Sequence, residues 1–494
     1  MKKTDALFQL VKSLTKAEKR YLTLESRKSG WEKSRYWRLY KLLNEQEVYD
    51  ESQLTKKLSG TLSHDKRRLY ETILRSMRSY RSQLSQAARI KEHLLDADFL
   101  YDRGLYEQAY ERLRDARSLA RKLDDQLAGL EVNKEIRRVA NTLLARQQTE
   151  ELSELISEKE QLIEKLEREL ELLDQHDEII RAVQAKRSRA DEAEESSLLD
   201  TYEKLLKNDQ PPTSTQGKLR FYQSRGLIGT LLGDYGMSVE NYKEVLKAWA
   251  ENPAYKNEEF NRYLDDAFNL LSASFQYKPA LHTAPKLLQE LEAEEPASAH
   301  DRRVLFQRTA TYRLVYYINY DNQKPAAQVL APIKDGLEQY QLNAVSELTI
   351  RFNAAVLHFL QDNPNDCEEW LMPIIDSRRG DLRPDIVIAS RIIRITTLFD
   401  QGVPFDFLES QLRSEGRYLQ QQQDQKLKEF GRFWFRSIRQ ISQAPSKSER
   451  TDLLKSTQES LQNSWLALPL GLDQLLHAWL KARTSAGRLL EYLG

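Results

Sequence analysis

Over the first 90 residues, apolar side chains fall three and four apart. Leu7, Leu10, Val11 and Leu14 form one group, Tyr36, Leu39, Tyr40 and Leu43 a second, and Leu69, Ile73, Leu74 and Met77 a third. With 3.6 residues per turn, each group lies on one face of an α-helix. Short polar stretches separate the groups, so residues 1–90 read as a compact bundle of about three to five helices.

Little interrupts this periodicity further on. The 494 residues include only 17 Gly and 14 Pro, about half the usual share. Turn-rich sandwiches and barrels need more of both, which excludes an all-β fold. Every proline lies at or beyond Pro211, and the first 210 residues carry only Gly30, Gly60, Gly104 and Gly129. Such a stretch can run as long helices. The first clear break is Asn208-Asp-Gln-Pro-Pro-Thr-Ser-Thr-Gln-Gly217, read as a linker or ordered hinge over residues 208–217.

The most specific pattern is Phe99-Leu-Tyr-Asp-Arg-Gly104-Leu-Tyr106-Glu-Gln-Ala109-Tyr-Glu-Arg-Leu113-Arg-Asp-Ala116. It resembles the tetratricopeptide repeat at Gly104, Tyr106, Ala109, Leu113 and Ala116, with Ala97 as the small residue of the first helix. Gly104 would end that helix in a tight turn and Tyr106 would wedge between the pair. The alanines would let the two helices approach closely. Tyr222, Gly226, Gly233-Asp-Tyr235, Ser238, Tyr242 and Val245 fall on the same template. Later units are looser. Ala326–Asp335 and Cys367–Asp376 look alike 41 residues apart, and Leu360-Gln-Asp362 is echoed by Leu398-Phe-Asp400 38 residues on. The expected fold is all-α: a helical bundle, then a tetratricopeptide-like α-solenoid over 218–440, with a helical cap over 441–494. The opening Leu7–Tyr21 also resembles a family of large helical proteins from Bacteroidota, over roughly the first hundred residues and on into the Gly104–Ala116 repeat. That resemblance implies a bacterial, cytosolic protein and brings no activity with it.

Residues 91–207 combine the first repeat with long acidic helices. Leu152, Ile156, Ile163, Leu166, Leu170 and Leu173, broken at Lys159, make a heptad seam. A dimeric coiled coil, hence a homodimer, and a long helix packed on its own chain both satisfy it. Lys186–Glu195 is densely charged and reads as a solvated helix end or loop.

Charge adds a division that the apolar pattern does not show. The chain is neutral, with 75 Lys+Arg against 75 Asp+Glu. Residues 1–90 hold 21 basic and 10 acidic side chains, and residues 91–207 hold 20 and 29. The two segments either attract each other or the basic head meets an anionic partner. Asp50–Leu69 resembles a helix-turn-helix in outline, with Ser63 a candidate N-cap and Lys66, Arg67 and Arg68 in the next turns. Thr55-Lys56-Lys57 stands where that motif prefers a small residue, so a solvated basic face competes with DNA reading.

Signatures of catalysis are absent. No phosphate-binding glycine loop, nucleophile elbow or zinc-protease motif occurs. The seven histidines are scattered, and no cofactor or metal is expected. Cys367, with Asp366, Glu368 and Glu369 beside it, reads as a small half-buried repeat residue. Asp362, Asn363, Asn365 and Asp366 read as a turn and not a calcium loop, because of Pro364. Phe430, Trp434 and Ile438 share one helical face and Arg432, Arg436 and Arg439 another, so this run either closes the last repeat or stacks bases through Phe433 and Trp434. The apolar Trp465–Leu480 stretch either caps the array or docks on a partner. No apolar run is long enough to span a membrane, Asp5, Gln9 and Lys12 interrupt any signal-peptide pattern, and a cytoplasmic location is expected.

Two functions follow. The first is a non-enzymatic adaptor that holds a protein or peptide through first-helix residues Tyr222, Arg225, Arg308, Tyr312, Arg351 and Asn353. The second is nucleic-acid or ribosome association through Lys56, Lys57, Lys66, Arg67, Arg68, Arg75 and Arg78, with Tyr36 and Trp37 for stacking.

Overall fold

The structure is a computed structural model that describes residues 6–46, 49–82, 84–144, 150–188, 210–321, 323–377, 382–465, 467–485 and 487–492. Among the described residues the chain is built from α-helices and short 3-10 turns, without a strand. The fold is all-α, with neighbouring helices packed on one another. By contacts the chain forms two compact units, one of Met1–Leu281 with Glu295–Arg302 and one of His282–Glu294 with Arg303–Gly494.

The first unit opens with α1 (Ala6–Ser13), α2 (Lys16–Lys28), α3 (Arg35–Glu45), α4 (Glu51–Leu58) and α5 (Ser63–Ser82). Thr15 and Glu18 close a capping box on α2, while Ser34 and Asp50 cap α3 and α4. Each cap satisfies an amide that the helix cannot. Ser63 does not cap α5; it is the first helical residue, and Lys66 N–H bonds to the Leu62 carbonyl. Val11, Leu22, Trp37, Leu39, Leu43, Leu69 and Ile73 form the buried centre. Trp37 stacks on Tyr40 at 4.4 Å.

Next come α6 (Gln86–Asp102), α7 (Tyr106–Leu123), α8 (Gln126–Leu144), α9 (Glu150–Ser188), α10 (Thr215–Leu232), α11 (Tyr235–Glu251), α12 (Pro253–Glu258) and α13 (Phe260–Gln276). Each of α6 to α11 packs on its successor. Gly104 turns the chain between α6 and α7 at φ 74°, a conformation glycine adopts without cost. Ala97, Ala109 and Ala116 are buried where these helices meet, and Tyr106 packs edge-on against Tyr101 at 5.1 Å. The α10–α11 hairpin repeats the device. Gly233 turns at φ 76°, and Ser238 Oγ donates to the Gly226 carbonyl at 2.9 Å. Around the 208–217 break, Ser214 caps α10, so Thr215, Gln216 and Gly217 are already helical. The helices on either side of the break share one cluster, Leu172 and Ile179 with Phe221 and Ile228.

The α9 seam differs from the expected one. Leu155, Leu172 and Ile179 are buried together with Glu169 and His176, whereas Ile156, Ile163 and Leu170 stay 37%, 38% and 51% exposed. Both stripes have heptad spacing and run side by side, and the packed neighbours α8 and α10 cover the more polar one. Of the Lys186–Glu195 segment, residues 189–195 lie outside the described residues.

The second unit contains α14 (Ala284–Glu292), most of α15 (Ala299–Asn319), α16 (Ala326–Gln339), α17 (Ala344–Leu360), α18 (Pro364–Ile375), α19 (Pro384–Asp400), α20 (Phe405–Gln420), α21 (Gln425–Ser442), α22 (Lys447–Ser464) and α23 (Leu472–Ser485). The similar segments 41 residues apart are α16 and α18, each with an internal proline, Pro332 and Pro373. Helix α19 is buried from Ile386 to Phe399 on nearly all sides, apart from the partly exposed Arg391, and is the axis of this core. Trp434 is fully buried and donates from Nε1 to Thr396 Oγ1 at 2.9 Å, which removes it as a base-stacking platform. Phe433 lies on Trp465 at 5.8 Å. Leu476, Trp479 and Leu480 belong to the same core, so the C-terminal apolar stretch is packed rather than displayed. Cys367 is fully buried and not half-buried; burial, and then Glu368, push its thiol pKa well up.

Candidate protein-binding surface

On α10 the repeat-position residues are Tyr222 and Arg225, three apart and therefore on one face. Both are half-exposed and both rest on the buried Phe221 ring: Tyr222 edge-on at 5.1 Å and the Arg225 guanidinium over its face at 5.2 Å. The aromatic contact fixes the arginine's reach while its charge stays at the surface.

Behind that face lies a buried polar cluster not anticipated from sequence. Asp266 on α13 accepts hydrogen bonds from Gln223 Nε2 at 2.7 and 2.8 Å and from Trp249 Nε1 at 2.8 Å. Burial raises its carboxyl pKa to about 6, against the pull of those donors and of Arg262 and Arg220. Burial also lowers Arg220, aided by the neighbouring Arg262. His176 on α9 shares a hydrogen bond with Ser224 at 3.2 Å, and burial with Arg220 nearby lowers its pKa to about 4. Gln223 and Ser224 sit beside Tyr222, so this cluster ties α9, α11 and α13 to the helix presenting the candidate face. Its members are far apart in sequence, and no local spacing marks them.

In the second unit, Arg308 and Tyr312 stand one turn apart on α15, half-exposed on a common face. Arg351 on α17 is held by Glu347 one turn back, Nε to Oε1 at 2.9 Å. Asn353 is two residues further on, about 200° around the helix, so it does not extend the Arg351 face. Sequence reasoning also missed an internal ion-pair network here. Glu415 on α20 meets Arg391 and Arg394 of α19, and Arg394 also bonds Glu368 at 3.0 Å.

The head residues divide by exposure. Lys56, Lys57, Arg67, Arg68, Arg75 and Arg78 are exposed and Lys66 is half-buried, and the α5 arginines Arg67, Arg68, Arg75 and Arg78 fall within an arc of about 100°. Lys66 is already engaged by Tyr49 and Glu51, and Arg68 lies over the Tyr36 ring at 4.9 Å. Tyr36 and Trp37 are not available for stacking, because they form the apolar side of α3 and are 6% and 1% exposed.

Among the described residues no cluster of His, Cys, Asp and Glu has the arrangement of a metal site, and no helix is long and apolar enough to cross a membrane. No protein-family model and no curated protein matches the chain.

Proposed function

We propose that the protein is a non-enzymatic adaptor. Its helical hairpins act as tetratricopeptide-like units of an α-solenoid and hold a protein or peptide partner on their first helices. The observation that carries this reading is the Tyr222–Arg225 face, an aromatic and a cation braced by Phe221 and backed by a buried hydrogen-bonded cluster. Such a pair offers apolar area with a directed donor, the composition that dominates protein interfaces. Arg308 with Tyr312 repeats the combination one turn apart. The partner's complementary groups would be acidic side chains or exposed backbone carbonyls. A bacterial, cytoplasmic setting accompanies the resemblances noted in the sequence. The test is affinity capture from extracts of the source cells with the intact chain and with Tyr222→Ala/Arg225→Glu and Arg308→Glu/Tyr312→Ala. A partner retained by the wild type and lost from at least one pair supports the reading; equal recovery on all three contradicts it.

A second reading rests on the exposed arginine row of α5. Arg67, Arg75 and Arg78 would contact nucleic-acid phosphates with Lys56 and Lys57. Binding should then weaken steeply with salt, and a full chain that retains no RNA or DNA at low salt removes this alternative.

A further inference from the structure

A cleft of about 570 Å³ opens between α2 and α3 of the head, away from every sequence candidate except Trp37. Beneath it lies the stacked pair Trp37 and Tyr40, only 1% and 5% exposed, and burial raises the Tyr40 hydroxyl pKa to about 12. Leu24 stands beside it, 53% exposed. Lys19, Arg20 and Arg27 of α2 and Lys41 of α3 line the rim, with Glu45 the one carboxylate. Among the described residues no carboxylate lies within ion-pair distance of these four cations. Burial, and then the nearby Lys12, lower the Lys19 pKa. An exposed leucine among these unpaired cations is the complement of an amphipathic helix with acidic flanks.

The chain carries such a helix face itself. On α9, Ile156, Ile163 and Leu170 repeat every seven residues and remain exposed, and Glu160, Glu164, Glu167 and Glu171 are exposed along one side of them, with Glu171 paired to Arg168 and Glu160 3.9 Å from Lys159. Lengths agree as well. Ile156 to Leu170 spans about 21 Å and the 13 residues of α2 about 20 Å at 1.5 Å per residue. Among the described residues nothing covers either face within one copy. Pairing α9 with α9 of another copy brings rows of glutamates close to each other, which like-charge repulsion opposes.

We propose that the α9 face of one copy docks into the α2–α3 cleft of a second copy. The contact joins unlike surfaces, so it either closes reciprocally into a dimer or continues from copy to copy. It is charge-steered and weakens with salt.

The test is sedimentation equilibrium of the full chain from about 1 to 100 µM, the range where a contact of one helix in one groove registers. The wild type should associate. Arg20→Glu/Lys41→Glu should raise the dissociation constant at least about tenfold, as should Glu160→Lys/Glu167→Lys. All four positions are exposed, and circular dichroism checks that each variant keeps its helices. Mixing the two double variants should restore association, because each reversed face meets its reversed complement. Ile163→Asp should also weaken it through the apolar stripe. A wild type that stays monomeric throughout overturns the proposal, whatever else the cleft captures. Self-association that both charge reversals leave unchanged also overturns it, and association that Glu160→Lys/Glu167→Lys strengthens would point instead to α9 pairing with α9.

Discussion

Asp362 and Asp400, 38 residues apart, both accept hydrogen bonds from the single guanidinium of Arg483. The distance is 2.8 Å to Asp362, and 2.8 and 3.0 Å to Asp400, which also takes the Trp479 indole N–H at 2.7 Å. The two carboxylates thus anchor helix α23. Replacing Asp400 by Ala leaves Arg483 and the Trp479 N–H under-satisfied in a partly buried site and should cost about 2–3 kcal/mol. Asp362→Ala, with its more exposed carboxylate, should cost about 1 kcal/mol or less. Urea unfolding followed by tryptophan fluorescence measures both.

Two glycines give opposite outcomes. A Cβ on Gly226 would sit 2.8 Å from the Tyr242 ring, where α10 and α11 touch. Gly226→Ala should therefore destabilise by about 1–3 kcal/mol. Gly416, inside α20, has open space around its Cα. Gly416→Ala should stabilise by about 0.5–1 kcal/mol, since alanine loses less backbone entropy in a helix. Thermal midpoints of the two variants should move in opposite directions.

The buried groups of the first unit make stability depend on pH with opposing signs. Burial raises Asp266 to about 6 and Glu169 to about 7, the latter opposed by a hydrogen bond with Ser214. The folded state then holds protons that the unfolded chain releases, so these two lose stability as pH rises from about 4 to about 7. His176, lowered to about 4, acts the other way: the unfolded chain binds the extra proton, and stability grows between about pH 4 and 6.5. His176→Gln removes the growing part. Relative to the variant, the wild type should gain about 2–3 kcal/mol across that window. Denaturant midpoints at pH 4.5 and 7 read the difference.

Cys367 should behave as a reporter of unfolding. Its thiol is fully buried and its thiolate disfavoured by burial and by Glu368. Reaction with an aromatic disulfide reagent should be at least about a hundredfold slower in buffer than in denaturant. Comparable rates would mean that α18 opens readily.

What the sequence discloses is what local spacing encodes. The Gly104 and Gly233 turns and the small residues facing them follow from short-range geometry and lie where the pattern places them. The α9 seam shows the limit. Two heptad stripes occupy one helix, and only the neighbouring α8 and α10 decide that the stripe with Glu169 and His176 is the one covered. Trp37 and Trp434 illustrate the same point from the other side. An aromatic next to arginines reads equally as a core residue or a stacking platform until its helix has a neighbour. The Asp266 cluster assembles from helices remote in sequence, so it has no local signature.

The adaptor reading depends on the first helices being the surface a partner touches. The most direct test is a photo-crosslinking residue introduced in turn at Tyr222, at Tyr312 and at the exposed Glu240 of the second helix α11, with irradiation of source cells. The account predicts a discrete protein adduct from Tyr222 or Tyr312 and none from Glu240. Adducts of equal yield from all three positions, or from Glu240 alone, would contradict it.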